Sequence, residues 1–335
     1  MAQVLQDARQ ATLTGRLVRV CSRRPLAHAV MLLGCAHADL SFADPIFFPQ
    51  QDASNSLFIS QEGNGNRVGS DLFAFEQASQ GGHRLNATIT QIGDDNVVSG
   101  RQSGHQSAII EQGEQDQLAV NNRIFVTQTG AAGIDATPNT LEVEMVGSGN
   151  GASAIDSDDK PELAKYSWLI ADKGGVAGQY GEGNTMELDI EGDNNAFVAH
   201  QGSDKTGVDQ LGVYSSNNLM EIDLEGNDNR VVAYQGLDSN RTEIELEGDR
   251  NAITTGQFGI GNEISLMAQG DDNQVVVDQG MTLGQTGTDY NIASISVTGW
   301  NNQVSLQQQG SFNSAYLTQV GNNNSIFVRQ TSIGR

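Results

Sequence analysis

Cysteine is nearly missing from this chain. Of 335 residues only Cys21 and Cys35 carry a thiol, so everything after about residue 40 can form neither a disulfide nor a thiolate metal site. Aromatic residues make up 6% and hydrophobic residues 37%, against 39 glycines. That is too little apolar mass for a round core of this length, and a thin, elongated core fits better. Basic residues are scarce as well: 18 Lys and Arg stand against 41 Asp and Glu, a formal charge of −23. Such a surface repels nucleic-acid phosphates, and likewise anionic membranes, so no nucleic-acid partner is expected. No apolar run is long enough to span a bilayer, and no membrane span is expected in the mature chain. Histidines after residue 43 are His83, His105 and His200, widely scattered. A hydrolytic site needs carboxylates or a base clustered with a cationic partner. The acids here fall instead in evenly spaced sets, so the reading is of no enzyme, no cofactor and no metal site.

The N-terminus has the layout of an export signal. Arg16, Arg19, Arg23 and Arg24 precede a short apolar run from Leu26 to Ala38, and Ser41-Phe42-Ala43 then supplies small residues for cleavage after Ala43. Leu32-Leu33-Gly34-Cys35 also has the form of a lipoprotein box, which leaves lipidation of Cys35 as an alternative. The expected organisation is a signal peptide over 1–43, a short linker over 44–54 and one structural unit over 55–335.

What the chain has in abundance is a repeat. Asparagines recur every 11 residues at Asn218, Asn229, Asn240, Asn251, Asn262 and Asn273, and after one slip at Asn291, Asn302, Asn313 and Asn324; Asn184 and Asn195 extend the series upstream. Counting each Asn as position 0, positions +2 and +4 are mostly aliphatic, position +6 is Gln or aliphatic, and Gly follows at +7 or +8. Within a unit the side chains alternate with period two, which is a strand of about seven residues. A helical 11-residue repeat would be broken by every Gly, at roughly 1 kcal/mol each, whereas a strand needs the turn that Gly, Asn and Asp supply.

Position +6 alternates between aliphatic and Gln, as in Ile190/Gln201, Leu224/Gln235, Leu246/Gln257, Ala268/Gln279 and Val297/Gln308. The full period is therefore 22, and two 11-residue half-rungs make one rung. The predicted fold is all-β: an amyloid-like β-solenoid of two-strand rungs, with surface loop insertions at 131–138, 151–183, 203–217 and 281–290. Within the second, Pro161–Ile170 reads as a short helix. Stacked rungs would place Asn over Asn and Gln over Gln at about 4.8 Å, so that buried amides satisfy one another. Candidate ladder residues are the twelve asparagines above with Gln201, Gln235, Gln257, Gln279, Gln308, Gln319 and Gln330.

The segment Asn302-x5-Gln308-x-Gly310-x-x-Asn313-x5-Gln319-x-Gly321-x-x-Asn324-x5-Gln330 resembles the curlin repeat of curli-type amyloid subunits, as does Asn55-x5-Gln61-x-Gly63-x-Gly65-Asn66. The resemblance runs over most of residues 55–330. It implies a secreted subunit that stacks end to end on copies of itself into extracellular fibres supporting adhesion and biofilm. It also implies a curli-type secretion pore and a companion major or minor curlin subunit as partners. Departures from the family pattern are the aliphatic +6 residue in alternate halves and the four insertions. A different function remains open: a non-polymerising adhesin or surface protein that binds a partner through the 151–183 insertion.

Two further features bear on assembly. The last strand, Asn324 to Gln330, has no evident cap, and Ser325-Ile326-Phe327-Val328 is an aggregation-prone window guarded only by Arg329. Outward positions of the aliphatic halves are acidic, as in Glu142/Glu144, Glu187/Asp189/Glu191, Glu221/Asp223/Glu225 and Glu243/Glu245/Glu247. Such columns keep the chain soluble during export, or hold assembly back until protons or Ca²⁺ discharge them.

Overall fold

A computed structural model describes residues 50–51, 56–69, 79–81, 85–114, 117–130, 137–153, 174–202, 215–280 and 289–332. The expected signal segment, nearly all of the 44–54 linker and the 161–170 helix lie outside the described residues.

Most corners of the chain share one backbone feature. The residue before a ladder asparagine adopts the left-handed conformation, as Asn194, Asn217, Asp228, Ser239, Arg250, Asp272, Asn301 and Asn323 do. Asn and Asp tolerate it because their short side chains bond locally. From that corner the chain runs straight, and alternate side chains turn inward. The strand Glu263–Gln269 reads exposed, buried, half-buried, buried along its length.

Among the described residues the half-rungs build two sheets, one of thirteen strands and one of eleven, in which every pairing is parallel. Successive strands of the larger sheet are equivalent residues one rung apart: Val231 faces Ile253, Ile253 faces Val275, Val275 faces Val304 and Val304 faces Ile326. We call this the glutamine sheet, and its partner, which carries the acid columns, the acidic sheet. Between them lies one continuous apolar strip running from Leu57 to Ala315, the thin core that the composition predicts.

The N-terminal register, which the phase slips obscure, follows the same plan. In the acidic sheet Ser56–Glu62 pairs with Leu85–Asp94, which pairs with Gln106–Gln112 and then Asn139–Met145. In the glutamine sheet Gln50–Gln51 pairs with Ser79–Gly81, and Val97–Ser103 pairs with Arg123–Thr129.

Three expectations are corrected. The insertion placed at 151–183 ends earlier, because Gly175–Glu182 is a strand of the glutamine sheet between Arg123–Thr129 and Ala196–Gln201. That strand's ladder asparagine is Asn150, and the long stretch of sequence between that residue and the strand hid it. Ser215–Ser216 likewise pairs with Gly181–Glu182, and the Tyr290 N–H donates to the Ile260 carbonyl, so 215–217 and 289–290 belong to solenoid corners. Third, strands of about seven residues were expected throughout. In the acidic sheet those carrying three stacked acids shrink to Thr185–Leu188, Leu219–Met220 and Arg241–Glu243. Like charges stacked at about 5 Å repel, and Glu245 and Glu247 take left-handed φ. The inward Ile222, Leu224, Ile244 and Leu246 stay buried all the same.

Candidate functional site: the polar ladders and the C-terminal edge

One asparagine column and one long glutamine column run along most of the solenoid, and a second asparagine column begins at Asn139. In the first corner Asn195, Asn229, Asn251, Asn273, Asn302 and Asn324 form one column, in which each backbone N–H donates to Oδ1 of the preceding member at 2.9–3.1 Å. In the second, Asn184, Asn218, Asn240, Asn262, Asn291 and Asn313 do the same at 2.7–3.1 Å. The Nδ2 groups turn elsewhere: Asn229 donates to the Gly248 carbonyl at 2.7 Å, and Asn251 to that of Gly270 at 2.7 Å. The asparagine column is thus first a backbone-to-side-chain ladder tied to the next turn, and the amide-to-amide bonds expected from the sequence are made at only some of its steps. Side-chain contacts such as Asn302 Nδ2 to Asn273 Oδ1 at 3.1 Å are added in places.

The glutamines do stack amide on amide. Gln201 donates from Nε2 to Oε1 of Gln235, Gln235 to Gln257, Gln257 to Gln279, Gln279 to Gln308 and Gln308 to Gln330, at 2.8–3.0 Å. The second amide proton crosses the core. Gln235, Gln257, Gln279 and Gln308 donate to the carbonyls of Leu219, Arg241, Glu263 and Ile292, each the first strand residue of the opposite half-rung. One side chain therefore ties rung to rung and sheet to sheet.

Sequence reasoning missed the upstream part of these columns. Asn66, Asn96, Asn122 and Asn150 lead into Asn195, Asn139 leads into Asn184, and Gln128 and Gln179 lead into Gln201. A second glutamine column, Gln61 to Gln91 to Gln112, occupies the acidic sheet at its N-terminal end. Beyond it that column becomes aliphatic from Met145 to Val297 and returns to glutamine only at Gln319. Gln319 is the one predicted ladder residue that the fold does not bring to a partner amide. It lies over Val297, is 4% exposed, and both Oε1 and Nε2 lack a hydrogen bond.

Glycines make the turns between columns. At Gly248, φ is +89° and an added Cβ would stand 2.4 Å from the Gly270 carbonyl oxygen; Gly226 and Gly270 are placed alike. Neighbouring rungs approach there through bare backbone.

The two outer faces differ. On the acidic sheet the Glu144 carboxyl is raised to about 7, first by a hydrogen bond shared with Glu114, then by burial and by Asp189, Glu114 and Glu111. Burial and then neighbouring acids also raise Glu187, Asp189 and Glu225. On the glutamine sheet the outward residues Val176, Ala196, Val198, Val232 and Tyr234 form a second apolar cluster with Phe125 and Phe258 packed on it. There His200 stacks on Tyr180 at 6.2 Å, and burial lowers it to about 4.

At the C-terminal end the core opens. Leu317, Ile326 and Val328 are only partly buried, and Ser325–Thr331 alternates between exposed and half-buried. Phe312, Tyr316, Val320 and Phe327 are exposed beside them. The last 45 residues hold no Asp or Glu. Among the described residues no group of three or more His, Cys, Asp or Glu could hold a metal ion, and no helix is long and apolar enough to cross a membrane.

Residues 299–331 match the curlin associated repeat family. The match covers the last strands of both sheets, where Gln308, Gln319 and Gln330 all stand at position +6. No curated protein matches the chain.

Proposed function

We propose, from the match of residues 299–331 to the curlin associated repeat family, that this chain is a structural subunit that assembles end to end into extracellular amyloid-like fibres. The observation that carries the reading is the C-terminal edge: among the described residues, the strands Ser314–Val320 and Ser325–Thr331 each pair on one side only, over ladders that repeat rung after rung. A strand added there continues every column at the same spacing. The role is structural, not catalytic. Release after Ala43, passage through a curli-type pore and a companion curlin subunit belong to this reading, as do adhesion and biofilm support.

Export and fibre growth are tested together by recovering the chain from the medium of an expressing cell. The expected mass begins at Asp44, and the purified protein forms fibres with meridional diffraction near 4.7 Å. A chain that stays monomeric for days at micromolar concentration overturns the reading.

A further inference from the structure

We infer that the C-terminal edge receives the N-terminal strand Ser56–Glu62 of a second copy in one fixed register, with Gln61 over Gln319. This rests on the fibre-forming reading and names the residues that meet. The first observation is the buried, unpartnered amide of Gln319 at the last strand of the acidic sheet. A parallel strand stacked on Ser314–Val320 that brings a glutamine Oε1 to this place gives the Gln319 Nε2 an acceptor. The second is polarity. In the N-terminal column Gln61 donates to Gln91 and Gln91 to Gln112, always toward the C-terminus. At one end of the solenoid Gln319 thus has an Nε2 to give, and at the other Gln61 presents an Oε1 facing outward along the column.

The third observation is the match of the two strands in that register. Ser56, Leu57, Phe58, Ile59, Ser60 and Gln61 fall over Ser314, Ala315, Tyr316, Leu317, Thr318 and Gln319. Leu57 and Ile59 complete the half-open core at Ala315 and Leu317, and the exposed rings of Phe58 and Tyr316 come side by side. No carboxylate lies on Ser314–Val320.

The glutamine sheet adds a condition. Gln50–Gln51 sits on Gln80–Gly81, the place that Gln330–Thr331 of the neighbouring copy takes, since Gln330 and Thr331 follow Gln308 and Gln309 in the same columns. The two-residue strand stands in for the neighbour and is displaced when the junction closes.

The junction is tested with the full chain carrying Cys21→Ser and Cys35→Ser, into which Phe58→Cys or Tyr316→Cys is introduced. Parallel strands in register hold these positions about 4.8 Å apart, within the range of roughly 4.4–6.8 Å that a disulfide spans. The two variants are mixed, assembled and oxidised, and the dimers are mapped by mass spectrometry. The 58–316 disulfide is expected to predominate in the mixture and to be lost when either variant assembles alone. Fibres without that disulfide, or with mainly 58–58 or 316–316 bonds, overturn the junction while leaving fibre formation standing. Absence of fibres in the parent Cys→Ser chain overturns both. Gln50→Pro with Gln51→Pro is expected to shorten the lag before fibres appear, and an unchanged lag overturns the displacement.

Discussion

Gln235 donates from Nε2 to Oε1 of Gln257 at 3.0 Å and to the Leu219 carbonyl at 2.7 Å. A single buried amide thereby joins two rungs and both sheets. The consequence is that truncating one member harms its neighbours more than itself. Gln257→Leu fills the space but leaves the Nε2 of Gln235 and the Oε1 of Gln279 each short of a partner. The Thr242 hydroxyl, which donates to Gln257 at 2.6 Å, loses its acceptor as well. At about 1–3 kcal/mol for each orphaned buried group, partly relieved by relaxation, the expected loss is roughly 2–4 kcal/mol. A fall in the urea midpoint of unassembled protein, with an unchanged slope, is the measurement.

Acidification should stabilise the acidic sheet. Glu144 is raised to about 7 by the hydrogen bond it shares with Glu114, by burial and by the surrounding acids. Its folded-state value therefore lies above the unfolded one. Above pH 7 the carboxylate is ionised in both states, and the folded state bears the full repulsion. As pH falls from about 7 toward 4.5 the folded state takes up a proton that the unfolded chain does not, and stability rises. Glu187, Asp189 and Glu225 act in the same direction. His200, lowered by burial, opposes them as pH drops below 6.5. The clean reading is the difference between the parent and Glu144→Gln across pH 8 to 5. The variant should be the more stable at pH 8, and the gap should close on acidification; a constant gap refutes the assignment.

Backbone approach at the turns makes a separate prediction. Gly248→Ala adds a methyl 2.4 Å from the Gly270 carbonyl at a φ of +89°. Neither the turn nor the next rung can yield without breaking ladder bonds, so a loss of roughly 1–3 kcal/mol or more is expected. The cut sites of limited proteolysis should move to the turn around residues 247–251. Unchanged protection would mean that the rungs separate more easily than their geometry implies.

How much of this was legible in the sequence depends on the column. Period-two alternation and the 11-residue asparagine spacing gave the solenoid, its 22-residue rung and the Gln201–Gln330 column, because each rung repeats the same burial demand on the same residue type. The Gly175–Glu182 strand was not legible: its ladder asparagine, Asn150, stands more than twenty residues before it in the sequence instead of directly ahead of it. The asparagine bonding pattern was hidden too, since spacing reveals which residues stack but not whether an Oδ1 meets a side chain or a backbone N–H. Gln319 looked like any other ladder member. The 22-residue period sets it over Val297; what the fold adds is that both polar atoms of its buried amide are left without a hydrogen bond.

The outer face of the glutamine sheet gives the least intuitive prediction. By alternation Val232 points away from the core, at the position where Glu or Asp stands on the other sheet, yet it is 1% exposed and packs with Val198 and Tyr234. Ser305 occupies the same outward column three strands further on, in the open C-terminal rungs, where it is half-buried. Val232→Asn removes apolar burial and places an amide with no partner, for an expected loss of roughly 2–4 kcal/mol. Ser305→Asn should change stability by less than about 0.5 kcal/mol, as surface substitutions do. Denaturant titration of the pair decides the point. Equal, small effects would show that the apolar cluster adds nothing to the fold, and that the glutamine sheet could as readily present a bare outer face to a neighbouring fibre.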